Sequence, residues 1–481
     1  MPTQLARSIR PGAGADPGDA FDRRLLAPMI LGAVLNPVNS SIIAVSLVPI
    51  GAAFGASPSR TAWLVSALYV ATAIGQPVVG RLIDIYGPRR LFLAGTALAG
   101  IAGVVGALAP NLGVLIAARV ILGFGTCAGY PAAMYLIRSE AKRTGHDSPA
   151  GVLTLLAIST QTVSVIGPTL GGLLIGLGGW RATLAVNIPL AAAGILLGLL
   201  RLPRTPAPRR DAQERLTTRL DPAGMALFAA TLVTLLLFLM SPQISHWYLP
   251  LFTAAAATGF AIRERRAAEP FIDLRVLGGN RPLLATYSRA LLSYVFSYAF
   301  LYGYTQWLEQ GRGLSATQAG LAQLPLFATA IAVSALTGRR KEIRGKLLVG
   351  AGAQVIACLM LLLLGGTSPV WLLVAVALVV GIPQGLNSLA LQNSVYNQAD
   401  PERIGSSAGL LRTFGYLGAI VASAANGIVF PHRADTAGLH HLAWFLVALA
   451  AVFLVVTLAD RSLGRIGRDK PADAAPARAA S

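Results

Sequence analysis

Charge is scarce in this sequence. Asp, Glu, Lys and Arg make up 12% of its 481 residues, which is about half the fraction found in soluble domains. So little charge cannot cover a water-facing surface for a chain of this length, which excludes an ordinary soluble protein. The sequence has instead repeated apolar runs of about 20 residues, long enough to cross the hydrocarbon layer of a bilayer. It therefore predicts an all-α integral membrane protein.

Cysteine is scarce as well. Cys127 and Cys358 are the two in the chain, and both lie inside apolar runs, where they act as small apolar side chains. Their positions exclude a disulfide framework and give no metal-ligand spacing. No nucleophile, acid–base pair or metal cluster converges inside the apolar runs. We therefore expect no enzyme activity, no cofactor and no bound metal.

Charged residues, Gly and Pro divide the sequence into fourteen predicted apolar spans. The spans are 26–50, 61–83, 91–110, 113–137, 150–177, 182–200, 223–241, 246–262, 283–308, 316–337, 347–365, 369–393, 404–430 and 439–459. An even number of spans places both termini on the same side of the membrane.

The net charge of +19 comes from basic residues in short segments between the spans. With the N-terminus inside, 32 of the 39 Lys and Arg residues fall in inside segments and 4 in outside loops. Positive residues accumulate on the cytoplasmic side of membrane proteins, so both termini are predicted to be cytoplasmic. Because membrane orientation explains the basic charge, we expect no nucleic acid partner.

Residues 80–90 (GRLIDIYGPRR) concentrate charge between the second and third spans. Asp84 closes one span, a Gly-Pro pair breaks the chain, and Arg89 and Arg90 lead into the next. A carboxylate at this boundary can face the positive N-terminal end of a neighbouring helix, and the arginines can pair with it or with lipid phosphates. The stretch predicts a gating contact; the alternative is a plain cytoplasmic boundary.

Two further stretches carry unusual residues inside spans. Residues 115–125 (LIAARVILGFG) place Arg119 in the fourth span, and a membrane-embedded arginine is costly enough to indicate a functional site. Residues 167–172 (GPTLGG) combine glycines, which let helices approach closely, with Pro168, which bends the helix. Helix packing alone is the alternative explanation for each.

Together these stretches resemble the major facilitator superfamily, in particular its fourteen-helix drug–proton antiporter branch, and the resemblance covers residues 26–460. Ile85, Pro88, Leu122 and Val163 depart from the family pattern. The resemblance implies that the motif residues control the change between two access states. These gating residues are Gly80, Asp84, Gly87, Arg89, Arg90, Arg119, Gly167, Pro168, Gly171 and Gly172.

The resemblance also implies a major facilitator fold, with two six-helix bundles plus two extra helices. The predicted organisation is an N-terminal cytoplasmic tail (1–25), a six-helix bundle (26–200), a basic cytoplasmic linker (201–222), an extra helix pair (223–262), a second six-helix bundle (263–460) and a cytoplasmic tail (461–481).

The predicted substrate path follows from the same resemblance. In the superfamily the first and fourth helices of each bundle face a central cavity, and here these are spans one, four, nine and twelve. Polar and aromatic residues recur on them at helical spacing. The predicted substrate-binding residues are Asn36, Asn39, Ser40, Arg119, Arg289, Tyr294, Tyr298, Tyr302, Gln384 and Asn387.

The tyrosines on this path would offer a broad surface for flat, amphiphilic molecules; packing and lipid contact are the alternative. Arginines without acids favour neutral, zwitterionic or anionic substrates. The branch usually has an Asp where this sequence has Asn39, and Asn cannot titrate. Proton coupling is therefore implied by the resemblance and opposed at this position, which leaves Asp84 and Glu309 as candidates.

We therefore expect a secondary active transporter in a bacterial plasma (inner) membrane. It would export amphiphilic drugs or small metabolites by alternating access, with proton antiport. The alternative is an importer or uniporter of a small organic solute without proton coupling. The expected partners are a small-molecule substrate, protons and the lipid bilayer, and the protein is expected to be a monomer.

Overall fold

The computed structural model describes residues 21–144, 150–204, 221–240, 243–267, 270, 274, 280–337, 342–399 and 404–464. These residues form helices and short connections, with no β-strand among them. The predicted tails and linker lie largely outside the described residues, so the domain boundaries stay predictions.

The described helices of the first half are α1 (Leu26–Ile42), α2 (Leu47–Phe54), α3 (Pro58–Tyr86), α4 (Pro88–Ala107), α5 (Leu112–Thr126), α6 (Gly129–Thr144), α7 (Ala150–Ala185) and α8 (Asn187–Arg201). Two helices follow, α9 (Pro222–Met240) and α10 (Tyr248–Arg266). The described helices of the second half are α11 (Arg281–Gln310), α12 (Ala316–Ala322), α13 (Leu324–Thr337), α14 (Ile343–Leu362), α15 (Val370–Gln398), α16 (Ile404–Val429) and α17 (Thr436–Ala459).

Each predicted span has helical residues, but the first, fourth and tenth are each built from two helices. The first breaks at a 3₁₀ turn, Ile43–Val45. The fifth and sixth meet within α7, where Gly178 and Gly179 leave helical geometry. In the described part of the chain nine helices, or ten with one bent pair, are long and apolar enough to cross a membrane. The all-α membrane class is confirmed, and the count of fourteen stays a prediction.

The turn between α3 and α4 explains the Gly-Pro pair of residues 80–90. Gly87 has φ +84°, a left-handed conformation that side chains with a Cβ rarely adopt. Pro88 is then the first residue of α4, a position where its missing N–H costs nothing. We name the two ends of the bundle after residues at the start of α3 and the start of α4: the Ser59 end, predicted to be extracellular, and the Arg89 end, predicted to be cytoplasmic.

Small residues bring helices of one half into close contact. A Cβ on Gly129 would lie 2.0 Å from the carbonyl oxygen of Gly32, so α6 and α1 touch through their backbones. On the outer faces of the helices large apolar side chains are exposed, as at Leu177 (88%) and Leu336 (78%). Such a surface requires an apolar solvent, which the bilayer provides.

The pair α9 and α10 packs through α9 against a helix of each half, α3 and α16. Phe228, Leu232 and Leu236, spaced four residues apart on α9, are buried in the same apolar cluster as Val65 of α3. At the base of the pair, Asp221 Oδ1 accepts hydrogen bonds from the Gly224 N–H (2.9 Å) and from Arg263 Nη2 (3.0 Å). Asp221 thus caps α9 and pairs with α10.

Gly129→Ala should lower the thermal stability of the protein, because the added Cβ must push α6 away from the Gly32 carbonyl. Overpacking of this kind costs about 1–3 kcal/mol. The measurement is the unfolding temperature in detergent, by intrinsic fluorescence. Gly352→Ala in α14 is the matched control, since nothing lies within 4 Å of its Cβ position; equal stability of the two variants would contradict the contact.

Asp221→Asn should remove a pH-dependent part of the stability. Burial by itself raises the pKa of Asp221, but the Gly224 hydrogen bond and the Arg263 and Arg81 guanidinium groups bring it below its ordinary value. The stabilisation is therefore complete above the unfolded pKa, about 3.9, and is lost as the pH falls through the lower folded value. Asn keeps the helix cap, so the variant should lose about 0.5–1 kcal/mol at neutral pH and little in acid.

Unfolding temperatures of wild type and Asp221→Asn between pH 7 and pH 3 test this sign. Glu342→Gln, at an exposed acid before α14, serves as the control. A difference that grows toward low pH would contradict the assignment.

Candidate functional site

A cluster of tyrosine rings joins the two halves at the centre of the bundle. Tyr69 of α3 packs edge-on against Tyr298 of α11, with ring centroids 5.3 Å apart. Its hydroxyl lies 3.4 Å from that of Tyr302, and its ring lies 6.0 Å from that of Tyr416 on α16. We call Tyr69, Tyr294, Tyr298, Tyr302 and Tyr416 the tyrosine cluster.

Helical spacing orders the α11 members of this cluster. Tyr294, Tyr298 and Tyr302 are four residues apart and therefore share one face of the helix. Their rings stack in sequence, with centroids 6.3 Å and 5.9 Å apart. Tyr302 is buried, while Tyr294 and Tyr298 are half-buried. The predicted stripe thus faces the other half of the protein, and the alternative of lipid contact does not apply to Tyr302.

Polar residues of α1 adjoin the tyrosine cluster. The Tyr302 hydroxyl donates to the Ser40 carbonyl (3.1 Å). Asn36, half-buried, donates through Nδ2 to the hydroxyls of Thr126 (3.1 Å) and Thr72 (3.4 Å). Thr72 is three residues from Tyr69 and shares its face of α3. The structure therefore brings the predicted residues Asn36, Ser40 and Tyr302 together.

Arg119 lies beside this cluster and is 1% exposed. Its Nε donates to the Leu64 carbonyl (2.9 Å), and Nη1 and Nη2 each lie 3.4 Å from the Asn39 carbonyl. In a continuous helix the Asn39 carbonyl would accept a hydrogen bond from the Ile43 N–H. Here α1 ends, and the Ile43 N–H bonds to the Ser41 carbonyl, so the Asn39 carbonyl is available to Arg119. Within the described residues no carboxylate pairs with Arg119, so backbone dipoles hold a buried cation.

The Asn39 side chain has a different environment from the one predicted. It forms a reciprocal amide pair with Asn187 of α8, with N···O distances of 2.7 and 2.8 Å. Both residues are almost fully buried, and Nδ2 of Asn39 also donates to the Leu35 carbonyl. Its hydrogen-bonding groups are occupied in holding α1 against α8, and its predicted contact with substrate stays a prediction.

Arg289 also differs from the prediction. Its guanidinium is 0% exposed and forms an ion pair with Asp460 (2.9 Å), with a second hydrogen bond to the Thr286 hydroxyl (2.8 Å). The pair joins α11 to the end of α17. Because its charge is neutralised and buried there, we leave Arg289 out of the candidate substrate surface.

The two predicted substrate-binding residues of α15, Gln384 and Asn387, have different environments. Gln384 is exposed and accepts a hydrogen bond from Ser297 of α11 (2.6 Å), so it stays a candidate. Asn387 is 1% exposed and packs against α14, where a Cβ on Gly350 would lie 2.2 Å from its Oδ1. Asn387 is a packing residue in this structure.

Sequence reasoning missed a cation–aromatic contact between the halves. The Arg412 guanidinium of α16 lies over the Tyr130 ring of α6, with Cζ 3.4 Å from the centroid. Four residues along α16, the Tyr416 hydroxyl donates to Gln76 of α3. The spacing of Arg412 and Tyr416 places both on one helix face, which is a local signal. Their partners more than 200 residues away leave no such signal.

The glycines of residues 167–172 lie where α7 meets α1 and α12. A Cβ on Gly167 or Gly171 would strike α1, and one on Gly172 would lie 2.7 Å from the Ala316 carbonyl. Thr317 donates to the Gly172 carbonyl (2.7 Å). This stretch therefore forms a close contact between the two halves, and its predicted gating role stays a prediction.

The same contact continues through Thr169 and Gly320. Thr169 donates to the Gly320 carbonyl (3.1 Å), and a Cβ on Gly320 would lie 2.5 Å from the Pro168 carbonyl. At the Ser59 end itself, Ser59 donates to the Pro431 carbonyl (3.1 Å). These hydroxyl-to-carbonyl contacts close that end of the interface.

Residues 80–90 lie at the Arg89 end. Arg89 donates to the Leu199 carbonyl of α8 (2.9 Å), and Arg81 donates to the Pro270 carbonyl beyond α10. Arg90 is exposed, and no atom lies within 4 Å of a Cβ built on Gly80. The side chain of Asp84 is outside the described residues, so its role as a latch stays a prediction.

Solved structures share this fold. A structure of proton dependent oligopeptide transporters aligns with a TM-score of 0.64 at 14% identity, over 93% of this chain and 100% of that chain. A structure of the nucleoside transporter NupG aligns with a TM-score of 0.62 at 12% identity, over 90% of this chain and 99% of that one. At these identities the likeness concerns the fold alone.

Sequence relatives are closer. The MFS-type transporter YwoD of Bacillus subtilis (strain 168) is 33% identical over 84% of this chain and 89% of its own length. The multidrug resistance protein Stp of Mycobacterium tuberculosis (strain CDC 1551 / Oshkosh) is 30% identical, over 70% of this chain and 61% of its own length. The lincomycin resistance protein of Streptomyces lincolnensis is 30% identical, over 61% of this chain and 60% of its own length. The sequence profile of the Major Facilitator Superfamily matches residues 29–423, and the chain therefore belongs to this family of membrane transporters.

Proposed function

We propose that this protein exports amphiphilic small molecules across the plasma membrane, in exchange for protons, by alternating access between its two halves. The observation that carries the proposal is the tyrosine cluster, in which α3 of one half meets α11 and α16 of the other. A substrate bound there touches both halves, so its binding can respond to their relative movement. The predicted cytoplasmic position of the termini makes the Arg89 end the side of loading.

The chemistry of this surface favours flat molecules without a net positive charge. Tyr294 and Tyr298 offer half-buried aromatic faces, and Gln384 adds an exposed amide. The guanidinium groups of Arg119 and Arg412 have no carboxylate partner among the described residues. A cation entering this surface would meet like charge at short range, whereas neutral, zwitterionic and anionic compounds would not.

The direction of transport is supported by the names of two relatives. Stp and the lincomycin resistance protein carry names that refer to resistance, which a membrane carrier can confer by removing a compound from the cell. The contact of residues 167–172 with α12 closes the Ser59 end, and releasing it would open a path to the outside, which export and import both require. An importer without proton coupling remains the alternative that the experiments below separate.

Gly172→Leu should block transport while leaving a folded protein. The added side chain would meet the Ala316 backbone, so the Ser59 end could not close, and overpacking predicts a transport rate lower by about tenfold or more. The measurement is dye efflux from cells with matched expression. Leu173→Ala is the control, since Leu173 is 48% exposed on the same helix; unchanged efflux by the Gly172 variant would count against the gate.

Tyr298→Ala should weaken transport of aromatic dyes roughly 3- to 10-fold by removing a stacking partner. Initial rates are measured in everted membrane vesicles with anionic carboxyfluorescein and cationic ethidium. Tyr248→Ala is the matched control, because Tyr248 is 42% exposed on α10, away from the tyrosine cluster. We expect wild type and Tyr248→Ala to accumulate carboxyfluorescein inside everted vesicles at the same rate. Only Tyr298→Ala should be slower.

Other outcomes separate the parts of the proposal. Transport of ethidium alone would overturn the proposed substrate charge. Movement of dye out of everted vesicles would overturn export and favour the importer. Dye transport without any accompanying pH change would overturn proton antiport.

A further inference from the structure

Three buried side chains near the Ser59 end have acceptor oxygens that lack hydrogen bonds. They are Gln306 and Glu309 on α11, and Gln323 between α12 and α13. Their exposed fractions are 2%, 8% and 0%. In each of them Oε1 has no hydrogen-bond partner. A buried carboxylate oxygen without a donor is costly, and here it accompanies two further unsatisfied acceptors.

Helical spacing and one hydrogen bond bring these three residues together. Glu309 is three residues from Gln306 and four from Thr305, so all three share a face of α11. Gln323 Nε2 donates to the Thr305 hydroxyl (2.8 Å), which places Gln323 on the same face.

The hydrogen bonds of this group all point to acceptors other than the three Oε1 atoms. Gln306 Nε2 donates to the Tyr302 carbonyl (3.2 Å), and the Thr305 hydroxyl donates to the Leu301 carbonyl. Gln323 Nε2 donates to the Thr305 hydroxyl. Each amide has a second N–H, but none reaches the Oε1 atoms of Gln306, Glu309 or Gln323, which have no hydrogen-bond partner. A proton on the Glu309 carboxylate would supply a donor among these oxygens.

The charged and titratable groups of the segments near Glu309 either bond to groups other than Glu309 or are exposed. Arg312 donates to the Gly366 and Ser368 carbonyls, and Arg433 donates to the Gln310 carbonyl (2.6 Å). Asp435 caps α17 through the Gly438 N–H. His440 Nε2 lies 2.9 Å from the Leu364 carbonyl, and His432 and His441 are exposed. The helix α12 carries no charged residue. In the described residues no cation forms an ion pair with Glu309.

We propose that Glu309 binds and releases the proton that this transporter exchanges for substrate, an inference that rests on the proposed antiport. With the Ser59 end open, water reaches the carboxylate, and one proton from the external solution forms an O–H bond on it. The neutral acid can then be buried, so protonation permits this end to close. The same O–H bond breaks when the proton leaves toward the Arg89 side, and the carboxylate charge returns.

The position of Gln323 connects this proton to the gate. Gln323 ends α12, whose Thr317 and Gly320 form the hydrogen bonds with α7 described above. In the other direction, Gln306 contacts the backbone of Tyr302, a member of the tyrosine cluster. Glu309 thus shares a face of α11 with residues that contact both α12, which forms the closing contact, and the backbone of the tyrosine cluster.

The experiment uses purified full-length protein in liposomes, with carboxyfluorescein as the transported probe and an internal pH indicator of distinct colour. Glu309→Gln keeps the size of the side chain and fixes it in the neutral state. We expect wild type to move protons against the dye. We expect the variant to bind dye and exchange it across the membrane at equal concentrations, but to lose dye-linked proton movement and the pH dependence of net export.

Glu342→Gln is the matched control and should behave as wild type, because Glu342 is exposed before α14. Dye binding by Glu309→Gln, measured by quenching of tryptophan fluorescence, shows that the variant is folded; if it neither binds nor exchanges dye, the proton-specific role is overturned. Proton-coupled export by Glu309→Gln at the wild-type rate would overturn the inference alone. Dye export by wild type without proton movement would overturn the antiport itself, and the role of Glu309 with it.

Discussion

A cation buried in an apolar bundle must be stabilised by polar groups, and around Arg119 these groups belong to the backbone. The carbonyls of Leu64 and Asn39 receive its hydrogen bonds, and the second is available because α1 ends in a 3₁₀ turn. The break in the first span and the arginine of the fourth therefore depend on each other. Since α1, α3 and α5 all contribute, this interaction fixes the helices that carry Asn36, Tyr69 and Thr72.

The contacts between the halves are individually weak, so they can break and form again during a transport cycle. Near the Ser59 end they are single hydrogen bonds from hydroxyls to carbonyls, each worth about 0.5–1.5 kcal/mol, and backbone approach at glycines. At the centre they are aromatic contacts of similar size. The buried ion pair of Arg289 and Asp460, by contrast, lies within one half. This ion pair thus holds one half together, whereas hydroxyl hydrogen bonds, aromatic contacts and the Arg412–Tyr130 contact join the halves.

The sequence was informative where a signal is local. Hydropathy located helices for every predicted span, glycine and proline marked the α3–α4 turn, and four-residue spacing identified the face of α11 that carries Tyr294, Tyr298 and Tyr302. It gave no signal for side chains that pair over long separations. Nothing near Asn39 indicates Asn187, and nothing near Arg289 indicates Asp460; the places of Asn39 and Arg289 on the substrate path stay predictions. The partners of the tyrosine stripe, Tyr69 and Tyr416, were missed for the same reason.

The amide pair of Asn39 and Asn187 has a consequence for the electrical behaviour of the transporter. Moving one elementary charge through the membrane potential changes the free energy by about 2.3 kcal/mol per 100 mV. Two neutral amides add no charge that could move, whatever the pH on either side. The amide pair itself therefore contributes nothing to a voltage dependence of the transport cycle, and any such dependence must arise from charged groups, such as the neighbouring Arg119, or from the substrate itself.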